Sequence, residues 1–363
     1  MSTPDGSLVP VTILTGFLGS GKTTLLNRLL RRPALQGAAV IVNEFGEIGL
    51  DHLLIEASEE QFALLDNGCI CRTVRGDLVG TLKELDRRSR EGETPPLTQV
   101  LIETTGLADP APILHTLMAE PELGRVFRIG SVLTTVDVVN GLATLERHPE
   151  AAKQAALADR LIVTKTDLAD GEAVRRLEAR LAALAPAAAL TRALNGEADF
   201  DLLERPVAEP GAEPERLAGW FDEAVSAGTH ECAAGHRGHA HAHPGEHHLH
   251  GIRSYSFVID QPIEWSAFAQ WLEYVAALKG EDLLRLKGLV HVTDDPDRPL
   301  LLNGVQHVFH PPARLDRWPS ADRRTRLVFI VRDIAPEAIE HTLVKFAAVN
   351  AASIHPPQRS AAA

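Results

Sequence analysis

Stretches with short runs of apolar residues alternate with amphipathic stretches in the first half of the chain. Five short stretches carry their apolar residues in runs rather than at alternate positions: residues 8–14, 39–43, 98–103, 130–137 and 159–165. Strands of a sheet that helices cover on both faces show this pattern. Apolar residues recur at helical spacing in three stretches that follow such strands: residues 22–31, 77–90 and 171–184. The alternation predicts an α/β domain with a mostly parallel, doubly wound sheet, which we assign to residues 1–205.

The order of the patterns changes in the second half of the chain. Strand patterns follow one another there at residues 253–260, 283–294, 299–311 and 325–333. Helical patterns occur at residues 262–278 and 336–349. Strands that succeed one another without a helix between them favour antiparallel pairing. We therefore predict a small C-terminal α+β domain with an antiparallel sheet at residues 252–353, followed by a disordered tail at residues 354–363.

A segment of different composition separates the two predicted domains. Residues 206–251 begin rich in Pro and Glu and end rich in His, with one short helical pattern between these parts at residues 216–225. Composition of this kind cannot build a packed core. We therefore predict a flexible, His-rich linker.

Charge and cysteine content narrow the functional classes. The 363 residues hold 36 Lys and Arg against 49 Asp and Glu, a net charge of −13, which disfavours a general nucleic-acid binder. No apolar run reaches the ~18 residues that span a bilayer, and the N-terminus lacks the pattern of a secretory signal. Cysteine occurs only as Cys69, Cys71 and Cys232, which excludes a disulfide scaffold and favours thiols that bind metal. We expect a cytoplasmic protein that contacts neither membrane nor nucleic acid.

The sequence GFLGSGKT at residues 16–23 carries the strongest local signal. It fits G-x-x-x-x-G-K-[ST] and lies between a predicted strand and a predicted helix, a context that disfavours a chance glycine turn. Glycines let backbone N–H groups approach phosphate oxygens, and the helix N-terminus adds positive charge. Lys22 is predicted to reach the β- and γ-phosphates, and the Thr23 hydroxyl to ligate Mg²⁺. The predicted nucleotide-binding residues of this segment are Gly16, Gly19, Ser20, Gly21, Lys22, Thr23 and Thr24.

A second element of nucleotide chemistry is predicted at the end of the third apolar strand. Glu103 closes that strand in the sequence IETTG, which ends at Gly106. A carboxylate there can hold Mg²⁺ through water, and the Gly106 N–H can meet the γ-phosphate. The alternative is that Glu103 caps the helix that follows.

Residues 164–167, TKTD, close the last predicted strand and suggest how the protein distinguishes guanine from adenine. The carboxylate of Asp167 can accept hydrogen bonds from N1–H and the exocyclic amine of guanine, whereas adenine presents an acceptor at N1. The stem of Lys165 can pack along the base. Thr164 stands where the usual motif has Asn, and we assign Thr164, Lys165 and Asp167 as nucleotide-binding residues. The pattern favours GTP, and the alternative is that Asp167 is a helix N-cap.

Several segments together resemble the CobW-type metallochaperone GTPases, which include the zinc-linked GTPase metalloprotein activators. The matching segments are VTILTGFLGSGKTTLLN, VNEFGEIGLD, LLDNGCICRTVRGDL, LIETTGLADPAPI, LIVTKTDL and, in the second domain, RLKGLVHVTD with LLLNGVQHVF. The resemblance implies a P-loop GTPase fold and a cytosolic location. It also implies that GTP hydrolysis is coupled to delivery of a transition metal, zinc above all, to client metalloproteins.

The metal motif of that family is C-x-C-C, and here it reads Cys69-Ile70-Cys71-Arg72. Two thiolates suit zinc but do not complete a site, and Arg72 cannot be a ligand. Glu44 or Glu47, on a loop where nucleotide-sensitive switches lie, is our candidate for a further ligand. Loss of the γ-phosphate would then withdraw a ligand and weaken the metal. The alternative is a pair of reduced thiols in a turn.

The histidines of the predicted linker form a second candidate metal site. Neutral imidazoles on a flexible chain bind Zn²⁺, Ni²⁺ or Cu²⁺ with little geometric choice. We take His239, His241 and His243 as representative ligands of a metal reservoir, and the alternative is a solvated polar linker.

The predicted reaction is attack of water on the γ-phosphate of GTP, with Lys22, Thr23 and Glu103 as the catalytic residues. Glu47 is a candidate for positioning the water, and because no arginine finger is identified we expect slow intrinsic turnover. The predicted partners are a client metalloprotein and a second copy in a homodimer. Two alternatives stay open: delivery of cobalt, nickel or iron, and a His-rich metal buffer with vestigial hydrolysis.

Overall fold

The structure is a computed structural model that describes residues 8–32, 35, 37–43, 63–64, 70–74, 77–194, 250–309 and 311–355. For residues 43, 63–64 and 70–74 only the backbone is described. The described residues fall into two compact units. Residues 145–156 and 179–189 belong to the second unit, although they precede the predicted linker in the sequence.

The first unit is built on a sheet of eight strands. Their bounds are β1 Val9–Gly16, β2 Ala38–Asn43, β3 Ala63–Leu64, β4 Ile70–Val74, β5 Gln99–Thr104, β6 Phe127–Asp137, β7 Arg160–Thr164 and β8 Ala189–Arg192. The order across the sheet is β3-β4-β2-β5-β1-β6-β7-β8. Strands β4, β2, β5, β1, β6 and β7 pair in parallel with their neighbours, and β3 pairs with β4 in antiparallel fashion. The sequence therefore predicted the mostly parallel sheet correctly.

Helices connect the parallel strands. Their bounds are α1 Lys22–Leu29, α2 Leu78–Glu91, α3 Ala111–Ala119, α4 Gly141–Arg147, α5 Pro149–Ala156 and α6 Gly171–Leu184. Helix α1 places Leu25, Leu26 and Leu29, all fully buried, against the sheet beside Leu14 of β1. Helix α2 begins at Asp77, whose carboxylate accepts a hydrogen bond from the Gly80 N–H. Helical segments were expected between the strands, but no bounds were predicted for α3, α4 and α5.

The register of the sheet brings the ends of four strands to one edge. Strand β1 lies between β5 and β6, where Leu14 pairs with Glu103 and Gly16 pairs with Thr135. Strand β6 then pairs with β7, with Asp137 opposite Thr164. Parallel strands of a doubly wound sheet present their carboxyl ends at the same edge, where such folds bind ligands.

The second unit contains an antiparallel sheet. Its strands are β9 Ile252–Ile259, β10 Leu283–Val290, β11 Leu300–Val305, β12 Val308–Phe309, β13 Ala313–Arg314, β14 Thr325–Arg332 and β15 Ile354–His355. The order is β12-β11-β10-β14-β9-β15, and β13 pairs with β11. The predicted α+β architecture of this part of the chain is confirmed.

The two faces of this sheet pack differently. Helices α7, Trp265–Lys279, and α8, Pro336–Phe346, cover one face, where Phe268 and Trp271 are fully buried against Phe329. On the other face Leu289 and Val328 pack with Trp318. Helix α5 contacts β9 and β10, which is why residues 145–156 group with this unit.

Three details of the second unit differ from the prediction. The strand predicted at residues 299–311 is divided at Gln306, whose φ of 53° belongs to a turn, so that β11 and β12 form a hairpin. The predicted tail began two residues too early, because Ile354 and His355 pair with β9. Residues 356–363, and residues 206–249 of the predicted linker, lie outside the described residues. Among the residues that are described, no helix is long and apolar enough to cross a membrane.

Candidate functional site

The segment from Gly16 to Gly21 forms a tight loop between β1 and α1. Gly16, Gly19 and Gly21 have φ values of 140°, 72° and 96°, a region that side chains other than glycine rarely adopt. A Cβ on Gly16 would also lie 2.4 Å from the carbonyl oxygen of Thr135. The loop closes through a hydrogen bond of 3.1 Å from the Ser20 N–H to the Phe17 carbonyl. The glycine spacing is therefore required by the backbone itself.

Lys22, the first residue of α1, points back over this loop. Its side chain is buried and Nζ donates hydrogen bonds to the carbonyl oxygens of Gly16, at 2.9 Å, and Phe17, at 3.2 Å. The ammonium group is thus held at the rim of the loop, where the predicted phosphates would lie. Thr24, also predicted to bind the nucleotide, is exposed two positions further along the helix.

Thr23 and Glu103 meet across the edge of the sheet. The Thr23 hydroxyl donates a hydrogen bond of 2.9 Å to Oε1 of Glu103, which is only 6% exposed. A buried carboxylate beside a hydroxyl is an oxygen donor set that suits Mg²⁺. The contact with Thr23 places this carboxylate beside the other predicted Mg²⁺ ligand, which favours its predicted nucleotide role.

Gly106 lies against the phosphate loop. A Cβ at this position would come within 2.6 Å of both the backbone nitrogen and Cδ2 of Leu18. Only glycine allows the chain after β5 to approach the loop so closely. The contact of the Gly106 N–H with the γ-phosphate stays a prediction.

The TKTD segment begins with Thr164, the last residue of β7. Lys165 has a left-handed conformation, with φ 57° and ψ 33°, and its Nζ lies 4.0 Å from Oδ1 of Asp137 at the end of β6. Asp167 is exposed in the short 3₁₀ helix Thr166–Leu168 and is free of a helix-cap contact among the described hydrogen bonds. Its carboxylate is accessible to a base that rests on this loop.

Two residues of the site were missed by sequence reasoning. Asp137 accepts hydrogen bonds from the Asn140 backbone N–H, at 2.8 Å, and from Asn140 Nδ2. Thr135 contacts the side chain of Ser20, with 2.7 Å between the two hydroxyl oxygens. Both lie at the end of β6, where polar residues interrupt an apolar strand. That interruption was the feature of the sequence from which the two residues could have been predicted to belong to the site.

Most of the predicted metal ligands fall outside the described residues. This applies to Glu44, Glu47, Cys69, His239, His241 and His243. Cys71 lies in β4, opposite Val40 of β2 and Ala63 of β3, with only its backbone described. Within the part of the chain that the structure covers, no three His, Cys, Asp or Glu side chains group to hold a metal ion.

The phosphate loop, the Thr23–Glu103 pair and the loop after β7 lie at one sheet edge and define a P-loop nucleotide-binding protein. Comparison with known protein families then identifies the family to which the chain belongs. Residues 10–192 match the CobW/HypB/UreG nucleotide-binding domain, and residues 252–347 match the cobalamin synthesis protein cobW C-terminal domain. The chain belongs to the CobW family.

Curated relatives match along nearly the whole chain. The zinc chaperone YjiA of Escherichia coli is 32% identical over 336 residues, which are 91% of this chain and 96% of that protein. The zinc chaperone CobW of Pseudomonas aeruginosa is 34% identical over 92% of this chain and 90% of its own length. The zinc-regulated GTPase metalloprotein activator 1 of Schizosaccharomyces pombe is 28% identical over 91% of this chain and 81% of its own.

A solved structure shares the fold. The crystal structure of the Zn(II)-bound YjiA GTPase from E. coli matches with a TM-score of 0.71 at 28% identity, over 94% of this chain and 99% of that one. A Zn(II)-bound triple mutant of the same GTPase, with a glutamate and two cysteines replaced by alanine, matches with the same TM-score of 0.71.

Proposed function

We propose that this chain is a GTP-hydrolysing metallochaperone that carries zinc and passes it to a client metalloprotein. The observation that carries the proposal is the Thr23–Glu103 contact of 2.9 Å beside a complete phosphate loop. Two curated relatives that match this chain over 96% and 90% of their own length are zinc chaperones. The loop supplies the means to bind and hydrolyse a nucleotide. The relatives supply the identity of the cargo.

The described residues divide the work of hydrolysis. Backbone N–H groups of residues 16–21 and the Nζ of Lys22 would hold the phosphates and stabilise charge that develops on them. Thr23 and Glu103 would hold Mg²⁺, directly and through water, and the ion would neutralise charge on the β- and γ-phosphates. Gly106 brings its backbone to the γ-phosphate end of the loop. Asp167 selects guanine, with the stem of Lys165 along the base.

Zinc is the cargo in this proposal. Cys69 and Cys71 would bind it, with Glu47 or Glu44 as a further ligand that the nucleotide state moves. Cys71 gains support from its place in β4, because β4 pairs with β2 and β2 pairs with β5, which carries Glu103. One sheet thus carries both the proposed nucleotide site and the cysteine segment. His239, His241 and His243 would capture metal, and the protein would act in the cytoplasm as a homodimer.

The decisive experiment compares zinc affinity in two nucleotide states. Zinc is titrated against a chromophoric chelator with the protein carrying either GDP or a non-hydrolysable GTP analogue, each with Mg²⁺. We expect tighter zinc in the GTP-analogue state and loss of the difference in Cys71→Ser. Cys232→Ser is the matched control and should keep it. Equal zinc affinity in the two states of the wild-type protein would contradict the coupling.

Metal content alone would not be a sufficient readout. A relative of this chain is Zn(II)-bound even with a glutamate and two cysteines replaced by alanine, so zinc in that protein does not depend on those three side chains alone. The nucleotide dependence of the affinity, rather than the amount of zinc, therefore tests the proposal. Repeating the titration with Co²⁺ and Ni²⁺ identifies the preferred cargo. A protein that binds GTP and never hydrolyses it with any of these metals would be a buffer instead.

A further inference from the structure

Thr164 makes a contact that nucleotide binding alone does not require. It is the last residue of β7 and occupies the first position of the TKTD segment. Its hydroxyl is turned away from the solvent and donates a hydrogen bond of 2.7 Å to the carbonyl oxygen of Ser20 in the phosphate loop. Thr164 is buried, with an exposed fraction of 6%. The contact joins two segments that are 144 residues apart.

We propose that Thr164 is a positioning residue, which fixes the shape of the phosphate loop and does not itself read the base. The inference rests on the proposed binding of guanine nucleotide at this site. It refines the sequence-based assignment of Thr164 as a nucleotide ligand, because the hydroxyl has a different partner.

The geometry of the peptide bond explains what the contact does. The peptide between Ser20 and Gly21 is planar and trans, so its N–H points opposite to its C=O. Thr164 holds the Ser20 carbonyl toward β7. The Gly21 N–H is therefore directed away from Thr164, and in this proposal it donates to a phosphate of the nucleotide. Gly21 has a φ of 96°, and without the tether this glycine peptide could rotate at little cost.

A second tether holds the same residue from the neighbouring strand. The Ser20 and Thr135 hydroxyl oxygens are 2.7 Å apart, and Thr135 also donates to the Thr15 carbonyl at 3.3 Å. The carbonyl of Ser20 is thus held by β7 and its side chain by β6. All three hydroxyl residues are buried, with exposed fractions of 2% for Ser20, 1% for Thr135 and 6% for Thr164. The conformation of the loop is set before any ligand arrives.

The proposal also separates the roles of Thr164 and Asp167. A threonine hydroxyl has one hydrogen to donate, and here the Ser20 carbonyl takes it. The discrimination between bases is then left to Asp167, which is exposed three residues later. Loss of the Thr164 hydroxyl should weaken every nucleotide equally, whereas a change at Asp167 should alter the preference between bases.

The test measures dissociation constants of the full-length protein for GDP and XDP. The variants are Thr164→Val, which removes the donor at similar volume, Thr164→Ser, which keeps it, and Asp167→Asn. We expect Thr164→Val to bind both nucleotides about tenfold more weakly, the value of one buried hydrogen bond. Its GDP-to-XDP preference should equal that of the wild type. Thr164→Ser should bind as the wild type does, and Asp167→Asn should reverse the preference.

The control is Thr116→Val in α3, which removes a similar hydrogen bond of 2.9 Å from a threonine to a helix carbonyl. It should leave both constants unchanged. Normal affinity in Thr164→Val, or a changed base preference in it, would overturn the proposal. So would a Thr164→Ser protein as weak as Thr164→Val, a comparison that remains decisive if the valine variant folds poorly. A wild-type protein that binds neither nucleotide would instead refute the proposed function.

Discussion

The hydroxyl of Thr23 and the carboxylate of Glu103 are hydrogen bonded across 2.9 Å, which links the start of α1 to the end of β5. Glu103 pairs in register with Leu14 of β1, the strand that leads into the phosphate loop. Two oxygen-bearing side chains that are 80 residues apart in the sequence are thus fixed side by side. The arrangement ties the proposed Mg²⁺ site to the sheet rather than to a surface loop.

Replacing Glu103 with Gln should slow hydrolysis more than it weakens binding. The amide oxygen can still accept the hydrogen bond from Thr23, so the fold should persist, but the negative charge that balances Mg²⁺ is lost. We expect GTP turnover to fall by about a hundredfold, comparable to the loss of one charge-stabilising group in an active site. Single-turnover hydrolysis with saturating Mg²⁺ measures it.

A surface carboxylate provides the control for this substitution. Glu172 is exposed in the first turn of α6, and Glu172→Gln makes the same chemical change there. Its turnover should equal that of the wild type. Unchanged turnover in Glu103→Gln would show that Glu103 has a structural role only.

Replacing Asp167 with Asn should change which base is accepted. An amide can present a donor where the carboxylate accepted, so xanthine, with a carbonyl in place of the exocyclic amine of guanine, becomes the better partner. A site built to hydrogen-bond a polar group of its ligand can reject a ligand that lacks that group by about 10⁴-fold. For the single substitution Asp167→Asn we expect at least a tenfold loss of GTP affinity. Competition between labelled GDP and unlabelled XDP measures the preference. A variant that keeps the preference for GDP would exclude Asp167 as the base-reading residue.

The parallel sheet was predictable because its strands carry their own signal. Runs of apolar residues mark β1, β2, β5, β6 and β7, since most residues of these strands are buried. The phosphate loop was equally predictable, because a strand, three glycines and a lysine must occur at fixed spacing for the backbone to surround a phosphate. In both cases the physical requirement is local, and the sequence displays it directly.

Features that depend on distant partners were not predictable. Strand β4 is short and exists because it pairs with β2, so the placement of Cys71 in a strand left no periodic signal. The hydroxyls of Thr135 and Thr164 look like ordinary strand residues until β6 and β7 are placed beside Ser20. Gln306 takes a positive φ without being glycine, which concealed the turn between β11 and β12.

His291 should make the stability of the second unit depend on pH. Burial, and secondarily the positive charge of Arg323, lower the pKa of this histidine from its ordinary value of 6.5. Its ring is packed edge-on against Trp318, with 5.4 Å between centroids. The folded state therefore binds a proton less readily than the unfolded state, so the stabilisation is complete above pH 6.5 and is lost as the pH falls through the lowered pKa.

The variant His291→Gln removes this titration. When the pH is lowered from about 7.5 to about 5.5, we expect the midpoint of the unfolding transition to fall less in His291→Gln than in the wild type. His341→Gln, at an exposed position of α8, is the matched control and should behave as the wild type does. An identical pH response in His291→Gln and the wild type would show that His291 does not contribute.

GTP hydrolysis should be sensitive to any side chain added at Gly106, because this residue lies so close to Leu18. A Cβ in Gly106→Ala would lie 2.6 Å from the Leu18 backbone nitrogen, so the phosphate loop and the chain after β5 must separate. Catalytic geometry tolerates little displacement, and an error of about 1 Å can cost about a hundredfold in rate. We expect GTP hydrolysis to fall by about that factor, while GDP, which lacks the γ-phosphate, binds within about threefold of the wild type.

Gly124→Ala separates this effect from the general cost of losing a glycine. A Cβ on Gly124 would meet no atom within 4 Å, and the residue has no positive φ, so both hydrolysis and GDP binding should be unchanged. The comparison is between GDP affinity and the rate of a single turnover in the two variants. If Gly106→Ala weakens GDP as much as it slows hydrolysis, the contact with Leu18 supports the whole phosphate loop rather than its γ-phosphate end. Equal rates in Gly106→Ala and Gly124→Ala would show that the close approach has no part in catalysis.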